Sequence, residues 1–333
     1  MITVICAQDE LFSSKWYKGL QTLSGATPMY SLGSRAFDLE IFSSSLVSDD
    51  SFIVMYSDDV AALVPLYRFK GENDTYEYRY GGEYLRAPLI GYEKSSKVLS
   101  EVMKFVYDYI ETMARKHQVI NHMAMIESVE LIQGRNYYNY LTDLGYVDES
   151  TICRLVDLTV DEDVLWGSVR KSYRSLINRA KKIFTYDVIN SDNFNEEKCE
   201  EYRQLHEKAA GRKTRSLKSF VLMYEMVKND QGFLILIKDH NKFAVAAHFF
   251  SCSSLYCLYF SSAIDDGSSR FGIGQWGVWL GIMTARKLGC HYLDMGQLRL
   301  TKNPSEKELN IAHFKKGFGG KTVTVFRGKK IFA

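Results

Sequence analysis

Residues 233–296 read FLILIKDHNKFAVAAHFFSCSSLYCLYFSSAIDDGSSRFGIGQWGVWLGIMTARKLGCHYLDMG, and this stretch decides the fold. Polar turn formers separate three short apolar runs in it, which predicts three antiparallel strands. These runs lie at 233–238, 243–250 and 254–262. A helix is predicted from about Arg270 to Leu288, and a short strand follows at 291–296. The stretch therefore predicts a three-stranded meander joined through one helix to a further strand.

The first half of the chain has the same order of elements, which indicates an internal repeat. Its predicted elements are strands at 52–56, 60–69 and 75–80, a helix spanning Val98 to Met113, a strand at 119–126, a short helix at about 134–144 and a strand at 151–158. Equivalent strands lie roughly 180 residues apart, as expected when one unit occurs twice. A chance match between two mixed segments is the alternative, because no residue identity supports the repeat strongly.

The fold class predicted from this order is α/β (α+β), with two tandem domains at 1–158 and 159–333. Each domain is expected to be a mixed, largely antiparallel twisted sheet flanked by helices. Further helical stretches are predicted between the halves, at 162–184, about 194–210 and 216–229. A chain of 333 residues with 46% hydrophobic and 25% charged residues has enough apolar material for two cores.

Charge, cysteine content and hydropathy narrow the class of protein. There is no run of 18 apolar residues and no secretory signal pattern, so a cytoplasmic protein without a membrane span is expected. A net charge of +2 argues against a large nucleic-acid footprint, and no DNA partner is expected. Six cysteines are scattered along the chain. Cys252 and Cys257, five apart in one predicted strand, are expected to point to opposite faces as reduced, buried residues, and no metal site is predicted.

The segment VRKSYRSLINRAKK (169–182) combines helical apolar spacing with six cations and no acid. The cations are Arg170, Lys171, Arg174, Arg179, Lys181 and Lys182. Their mutual repulsion is relieved by a nearby anion, so the helix predicts a groove wall for the phosphates of a nucleotide, coenzyme A or tRNA. Arg174 is the binding candidate in this helix, and a solvated helix face is the alternative.

Two loops add further candidates for phosphate binding. Guanidinium groups in the loop GRKTR (211–215) suit a diphosphate. In SSRFGIGQW (268–276) a strand gives way to a helix, and the N–H groups of a helix N-terminus attract a pyrophosphate. The candidates are Arg212, Arg215, Arg270, Gly272 and Gly274. Close packing of the helix on the strand is the alternative role for the two glycines.

The segment AHFKKGFGG (312–320) is the most specific motif. Phe314 and Phe318 bracket two lysines, and a plain surface turn has little use for two phenylalanines. A lysine held between aromatic side chains in a cleft supplies a fixed positive charge to an oxyanion. The alternative is a glycine-rich entry into a hairpin with solvated lysines.

These motifs, in this order, resemble the FemABX family of non-ribosomal peptidyl transferases and the wider group of Fem-like GNAT acyltransferases. The resemblance rests on the basic helix at 170–182, GRKTR with the helix that follows it, the stretch 255–296, and the ending FKKGFGG. It covers residues 160–328 well and the first half only in its order of elements. The chain lacks the coiled-coil arm of some members and is similar to the shorter ones. The resemblance implies two tandem GNAT-like domains.

The resemblance also implies roles for individual residues. Lys315 matches the lysine that stabilises the charge developing on the transferred carbonyl, and Phe314 accompanies it. Arg212 or Arg215 matches the residue that contacts the diphosphate of a nucleotide-linked acceptor. The implied reaction is direct attack of a neutral amine on a thioester or an aminoacyl ester, without a covalent enzyme intermediate.

Two further residues are candidates for accepting the amine proton. Asp294 ends a predicted buried strand, and His248 lies within the apolar run FAVAAHFF. The alternatives are structural, because a strand-end aspartate often caps a turn and a histidine in an apolar strand is usually a core residue.

The predicted function is that of an enzyme, an N-acyltransferase. It would transfer an acyl or aminoacyl group to an amine of a cell-envelope or polysaccharide precursor, such as a nucleotide-linked amino sugar or a muropeptide. Acyl-CoA or aminoacyl-tRNA is expected as co-substrate, without a permanently bound cofactor; the near-neutral charge and the glycine loop favour acyl-CoA. A catalytically inactive GNAT-fold nucleotide-binding or scaffold protein is the alternative. The basic helix, the arginine loop and Lys315 are expected to converge on one cavity.

Overall fold

The computed structural model describes residues 1–80, 83–91, 95–127, 138–298 and 303–332. The chain divides into two compact units. The first comprises Met1–Thr151 with Thr324–Ala333, and the second comprises Ile152–Val323. The predicted boundary between residues 158 and 159 therefore differs from this division, and the last residues of the chain belong to the first unit.

The first unit combines helices with many short strands. Its described α-helices are α1 (Phe12–Thr22), α2 (Leu32–Ile41) and α3 (Ser96–Lys116). Its strands are β1 (Ile2–Cys6), β2 (Leu46–Asp49), β3 (Phe52–Tyr56), β4 (Asp59–Val64), β5 (Tyr67–Lys70), β6 (Tyr76–Tyr78), β7 (Leu85–Arg86), β8 (Leu89–Ile90), β9 (Val119–Met125), β10 (Val147–Asp148) and the last strand of the chain, β18 (Arg327–Ile331). The predicted short helix at 134–144 lies partly outside the described residues, and Tyr140–Leu144 form a 3-10 helix that ends at Gly145.

The strands of the first unit form two sheets. One has the order β1-β3-β4-β8, and the other has the order β10-β18-β9-β6-β5-β2, with β7 also paired to β9. The pair β6–β9 is parallel, and α3 makes the crossover connection that parallel neighbours require. Buried Val102, Val106 and Ile110 lie on one face of α3, as its apolar spacing predicts.

The predicted strand VAALVPLYRF is wrong as a single element. It is interrupted at Pro65 and Leu66, and its two parts, β4 and β5, lie in different sheets. Proline has no N–H to donate to a ladder, and the N–H of Leu66 donates to Ser51 Oγ at 3.0 Å instead. The predicted first-half meander is therefore divided, with β3 paired to β4 and β5 paired to β6.

The second unit has seven described α-helices around one sheet. The helices are α4 (Glu162–Ser168), α5 (Lys171–Ile183), α6 (Glu196–Ala210), α7 (Leu217–Lys228), α8 (Asp266–Ser269), α9 (Ile273–Lys287) and α10 (Glu306–Lys316). The strands are β11 (Thr151–Asp157), β12 (Thr185–Ile189), β13 (Gly232–Lys238), β14 (Ala244–Cys252), β15 (Tyr256–Ile264), β16 (Tyr292–Gln297) and β17 (Lys321–Val325). The sheet order is β12-β13-β14-β15-β16-β11-β17. The meander, helix and strand predicted for 233–296 are confirmed as β13, β14, β15, α9 and β16.

The predicted helix over 162–184 is two helices. The chain leaves the helical conformation at Val169, which has φ −68° and ψ 133°, and re-enters it at Lys171. The N–H of Arg170 donates to the carbonyl of Gly317 at 2.9 Å, which satisfies a backbone group at the break. The apolar spacing continues across the break and conceals it from the sequence.

The strand at 151–158 was predicted to close the first domain, and it belongs to the sheet of the second unit. There, β11 lies between β16 and β17. Conversely, the segment KTVTVFRG (321–328) is divided between β17 and β18. Strand β18 lies between β10 and β9 in the first unit. Pairing between strands more than 130 residues apart in the sequence thus decides the boundaries of both units.

The two faces of the second sheet can be told apart through β14. His248 and Phe250 contact glycines of α9 so closely that an added Cβ would lie 2.2 Å and 2.0 Å from their rings. Side chains alternate along a strand, so Phe249 points to the opposite face. Phe249 is paired with Ser261, which accepts a hydrogen bond from Tyr202 of α6. We refer to the two sides as the α9 face and the α6 face.

Within the described residues, no helix is long and apolar enough to cross a membrane.

Candidate active site

Strands β15 and β16 run side by side and then separate. Their parallel register covers three pairs, Tyr256 with Tyr292, Cys257 with Leu293, and Leu258 with Asp294. Both strands continue further, β15 to Ile264 and β16 to Gln297. A crevice at the carboxyl ends of parallel strands is where open sheets bind ligands. The separation of β15 from β16 therefore marks a candidate site.

Asp294 lies at the point of separation and is 8% exposed. The hydroxyl of Tyr256 donates to Oδ2 at 2.5 Å, and the N–H of Gly296 donates to Oδ1 at 2.6 Å. Leu293 and Met295, on either side of Asp294, pack in the core beneath α9. Because side chains alternate, Asp294 points to the α6 face, where both carboxylate oxygens are fixed in position.

Lys315 lies beside Asp294. Its Nζ donates to the carbonyl oxygen of Gln297 at 2.9 Å. Burial lowers the pKa of Lys315, and the carboxylate of Asp294 opposes this shift. Gly296 has φ +80°, and a Cβ at that position would lie 3.0 Å from Nζ. Gly296 therefore leaves room for a half-buried cation next to a buried carboxylate.

The phenylalanines around Lys315 position its helix and do not enclose the lysine. The rings of Phe314 and Phe318 lie 5.1 Å apart, and Tyr173 of α5 lies 6.0 Å and 5.3 Å from them. Gly317 approaches the same tyrosine so closely that a Cβ would lie 2.1 Å from its ring. These contacts anchor the end of α10 on α5. The predicted arrangement, a lysine held between two aromatic rings, is therefore replaced by an aromatic anchor with the lysine pointing to β16.

Arg215 lies in a second polar cluster on the α6 face. Its Nη2 donates to Ser261 Oγ and to His206 Nε2, both at 2.9 Å. Its guanidinium lies 4.7 Å from the centre of the Phe220 ring. The hydroxyl of Tyr202 completes the cluster by donating to Ser261 Oγ at 2.9 Å. Arg215 is thus held in one orientation while remaining half-buried, which suits a fixed binding site for an anion.

His206 is neutral in this cluster. Burial, followed by the positive charge of Arg215, lowers its pKa to about 4. Because Nε2 accepts from Arg215, the proton of the neutral ring is assigned to Nδ1, which lies 3.2 Å from Thr214 Oγ1. A neutral histidine orients the arginine without competing for an anion.

The two clusters share the α6 face and lie close together. Leu258 is the residue of β15 opposite Asp294, and Ser261 lies three residues further along the same strand. At the usual rise of a strand, this separation corresponds to about 10 Å. A ligand of small-molecule size therefore spans the distance from Arg215 to the Lys315–Asp294 pair.

The basic helix and the glycine loop lie together on the α9 face. Arg179 of α5 donates to the carbonyl of Arg270, whose guanidinium lies 4.9 Å from the centre of the Phe271 ring. Gly272 has φ +83°, and a Cβ there would lie 2.7 Å from the Cβ of Leu176 in α5. Close packing of α5 on the start of α9 thus requires this glycine. The predicted convergence is therefore partial: Arg215 and Lys315 share one face, and the basic helix contacts the other.

The remaining predicted binding residues occupy separate surroundings. Gly274 lies in the first turn of α9, and a Cβ there would lie 2.8 Å from the Cδ1 of Ile264. Arg212 is exposed in the loop that follows α6, and Arg174 is half-buried on α5. Neither arginine lies in the cluster around Arg215.

His248 is a core residue. This residue of β14 points to α9 and is 0% exposed, and burial lowers its pKa to about 3. Its Nδ1 lies 3.1 Å from the hydroxyl of Tyr259. A proton acceptor must reach the substrate, and this ring has no such access. His248 therefore lies outside the candidate site, whereas Asp294 lies at the point where β15 and β16 separate.

Sequence reasoning missed four residues of the site: Tyr202, His206, Tyr256 and Ser261. The spacing of Tyr202 and His206, i and i+4 on one helix face, was a detectable signal in α6. Tyr256 and Ser261 had no such signal in the sequence. Their importance comes from tertiary contacts of β15, in which Ser261 bonds Tyr202 of α6 and Tyr256 bonds Asp294 of β16.

Solved structures match this chain over nearly its whole length, although no family model and no curated protein sequence match it. FemX superposes with a TM-score of 0.66 at 11% identity, covering 97% of this chain and 96% of that one. L-PGS from Bacillus licheniformis has a TM-score of 0.60 at 15% identity, covering 95% and 90%. A tandem GNAT protein from the clavulanic acid biosynthesis pathway has a TM-score of 0.55 at 10% identity, covering 100% and 99%. The predicted fold, two tandem GNAT-like domains similar to those of Fem-like proteins, is confirmed.

Proposed function

We propose that this chain is an N-acyltransferase that moves an acyl or aminoacyl group from an activated donor to an amine. The acceptor we propose is a cell-envelope or polysaccharide precursor carrying an anionic group, such as a nucleotide-linked amino sugar or a muropeptide. The single observation that carries the proposal is that Gly296, where β16 separates from β15, donates to Asp294 and lies against the Nζ of Lys315, which brings the carboxylate and the ammonium to one point. The likeness of the fold to FemX and to tandem GNAT proteins supports it.

In the proposed reaction, the neutral acceptor amine attacks the carbonyl carbon of the donor. A C–N bond forms, the carbonyl oxygen becomes an oxyanion, and the C–S or C–O bond to the donor breaks. The ammonium of Lys315 stabilises the oxyanion, and its half-buried position strengthens that interaction relative to water. Asp294 accepts the proton that the amine loses and passes it to the leaving thiolate or alkoxide.

Arg215 is the proposed binding residue for the acceptor's anionic group. Its guanidinium is fixed by Ser261 and His206 and stacked on Phe220, so little rotamer entropy is lost when an anion binds. The distance of about 10 Å along β15 suits an acceptor whose phosphate and reactive amine lie several bonds apart. Exposed Arg212, in the same loop, is proposed as an additional contact with a diphosphate.

Two donors are compatible with the α9 face, and the proposed passage of the acyl group to Lys315 on the α6 face is the gap where β15 and β16 separate. The N-terminus of α9, with Gly272 and Gly274, is proposed to bind the pyrophosphate of an acyl-CoA. The basic face of α5, including Arg174, is proposed to contact phosphates of an aminoacyl-tRNA. The net charge of +2 favours acyl-CoA, because tRNA binding relies on extended positive surface.

The role of Lys315 is tested by substitution. Lys315→Ala is expected to lower turnover on the order of a hundredfold, because it removes the oxyanion contact. The matched control is Lys316→Ala, which removes the same charge from the exposed neighbouring position. Turnover is measured with acyl-CoA and with aminoacyl-tRNA on nucleotide-linked amines. Equal turnover of the two variants would exclude a catalytic role for Lys315.

The donor and the acceptor are tested by thermal shift. Stabilisation by coenzyme A alone supports an acyl-CoA donor and excludes the tRNA version, whereas stabilisation by uridine or thymidine diphosphate sugars supports the proposed acceptor. Arg215→Ala should abolish the shift with a diphosphate sugar and keep any shift with coenzyme A. A nucleotide shift without turnover on any donor would favour an inactive nucleotide-binding protein instead.

A further inference from the structure

Three buried cysteines meet where β14 turns into β15. The Sγ atoms of Cys252 and Cys257 lie 3.1 Å apart, and the Sγ of Cys290 lies 3.7 Å from the carbonyl oxygen of Ser253, the residue that follows Cys252. The prediction that Cys252 and Cys257 point to opposite faces of one strand is wrong. The turn at 253–255 separates them into two antiparallel strands, which places them directly opposite each other.

The register of this pair suits a disulfide. The N–H of Cys252 donates to Gln231 on the β13 side at 2.9 Å, and the next pair of the hairpin is joined by the N–H of Ser253 and the carbonyl of Tyr256 at 2.8 Å. Cys252 and Cys257 therefore form a non-hydrogen-bonded pair. In such pairs the Cα atoms lie about 4.5 Å apart, which is within the range of disulfides.

A third thiol lies beside the pair. The thiol of Cys290 donates to the carbonyl oxygen of Ser253 in the turn at 3.7 Å, and hydrogen bonds from the thiols of Cys252 and Cys257 lower its pKa. Cys252 and Cys290 retain 7% and 4% exposure, next to the exposed turn residues Ser254 and Leu255. Cys252 and Cys290 are therefore the thiols of the cluster nearest to solvent, since Cys257 is 0% exposed.

We propose that this cluster is a reversible oxidation site in which hydrogen peroxide converts Cys252 and Cys257 into a disulfide. Peroxide first oxidises one thiol of the cluster to a sulfenic acid and releases one water. A second thiol then attacks the sulfenic sulfur and releases another water, so that two thiols and one peroxide give one disulfide and two waters. When Cys290 is oxidised first, thiol–disulfide exchange transfers the bond to the facing pair.

The proposed disulfide lies next to residues of the candidate active site in β15. Cys257 lies between Tyr256, which donates to Asp294, and Leu258, which is paired with Asp294. A disulfide at Cys257 fixes the end of the strand that carries this hydrogen bond. The inference itself concerns the thiols and does not depend on the proposed acyl transfer.

The experiment is peroxide treatment of the folded, reduced protein. Two of the six thiols are expected to disappear in a thiol titration under denaturing conditions, and peptide mapping is expected to join Cys252 to Cys257. Dithiothreitol should restore both thiols. An unchanged thiol count, or oxidation spread over other cysteines as sulfinic acid, would overturn the proposal.

Variants separate the members of the cluster. Cys290→Ala should slow the oxidation severalfold while leaving the Cys252–Cys257 product, whereas Cys257→Ala should abolish that product. The matched control is Cys199→Ala, since Cys199 is also buried but burial raises its pKa to about 12. Thermal unfolding of each reduced variant checks that the fold is retained. Formation of the same product at wild-type rate in Cys290→Ala would remove the role given to that thiol.

Discussion

Gly296 sets the space available to Lys315. Its φ of +80° is unfavourable for any residue with a Cβ, and that Cβ would lie 3.0 Å from the lysine Nζ. Gly296→Ala is therefore expected to lower the free energy of unfolding by about 1–2 kcal/mol and also to lower turnover, because Lys315 is displaced. Denaturant unfolding and turnover are measured together.

Gly289 provides the control for that substitution. Its φ of +86° imposes the same strain, and a Cβ there has no neighbour within 4 Å. Gly289→Ala should therefore cost similar stability and leave turnover unchanged. If both variants lost turnover equally, backbone strain rather than the position of Lys315 would explain the effect.

His248 and His206 make the stability of the second unit depend on pH. Burial lowers the pKa of His248 to about 3 and that of His206 to about 4, both below the value of about 6.5 in an unfolded chain. The unfolded state therefore binds more protons below pH 6.5, so their contribution to stability is complete above that pH and is lost as the pH falls.

His248→Asn tests this pH dependence. Asparagine does not titrate, so the slope of unfolding free energy against pH between 6.5 and 4.5 should decrease by up to about 1.4 kcal/mol per pH unit, the effect of one proton. Denaturant unfolding at several pH values measures the slope. An unchanged slope would mean that His248 is protonated equally in both states.

At the scale of elements, the close packing of α9 on the sheet depends on glycines at the positions of the helix that face β14. A Cβ at Gly281 would lie 2.0 Å from the ring of Phe250. Gly281→Ala is expected to destabilise the protein by about 1–3 kcal/mol, because the core must shift to accept one carbon. Thermal and denaturant unfolding measure this loss.

A glycine in α4 serves as the matched control. A Cβ at Gly167 would have no neighbour within 4 Å. Gly167→Ala should stabilise the protein by about 0.5–1 kcal/mol, because alanine restricts the unfolded chain and favours a helix. Destabilisation by Gly167→Ala, or tolerance of Gly281→Ala, would contradict this account of helix packing.

At the scale of the whole molecule, the first unit depends on the end of the chain. β18 occupies an interior position between β10 and β9, and its register with β9 covers five residue pairs. Arg327 at its start is buried, and its Nε donates to the carbonyl of Glu149 at 2.9 Å. A chain ending at Phe326 would leave two strands with unpaired edges inside the sheet.

Truncation at Phe326 is therefore expected to prevent the first unit from folding, although residues 1–151 remain intact. The control is a chain ending at Ile331, which retains β18. Solubility and hydrogen exchange of the amides in β9 are measured for both chains. Native protection of β9 in the shorter chain would show that the strand is dispensable.

Local chemistry was sufficient to predict the central elements of the second unit, although it missed the break within 162–184 and did not predict β12 or α10. Turn formers and apolar runs predicted β13, β14 and β15, and periodicity with a terminal glycine predicted α9, because these signals act over a few residues. Of the candidate site, Lys315, Asp294 and Arg215 were identified from residue type and motif. The same reasoning could not separate Asp294 from His248, because burial depends on what packs against each strand.

The sequence by itself determined most of the strands and helices around 233–296 and which charged residues were available for chemistry. Tertiary structure alone decided that β11 belongs to the second unit and β18 to the first, each the opposite of the predicted domain. It also decided that Cys252 faces Cys257 and that Arg215 and Lys315 lie on the same face of the sheet. Such pairings join residues distant in sequence, and their free energy comes from burial and hydrogen bonding that no local pattern records.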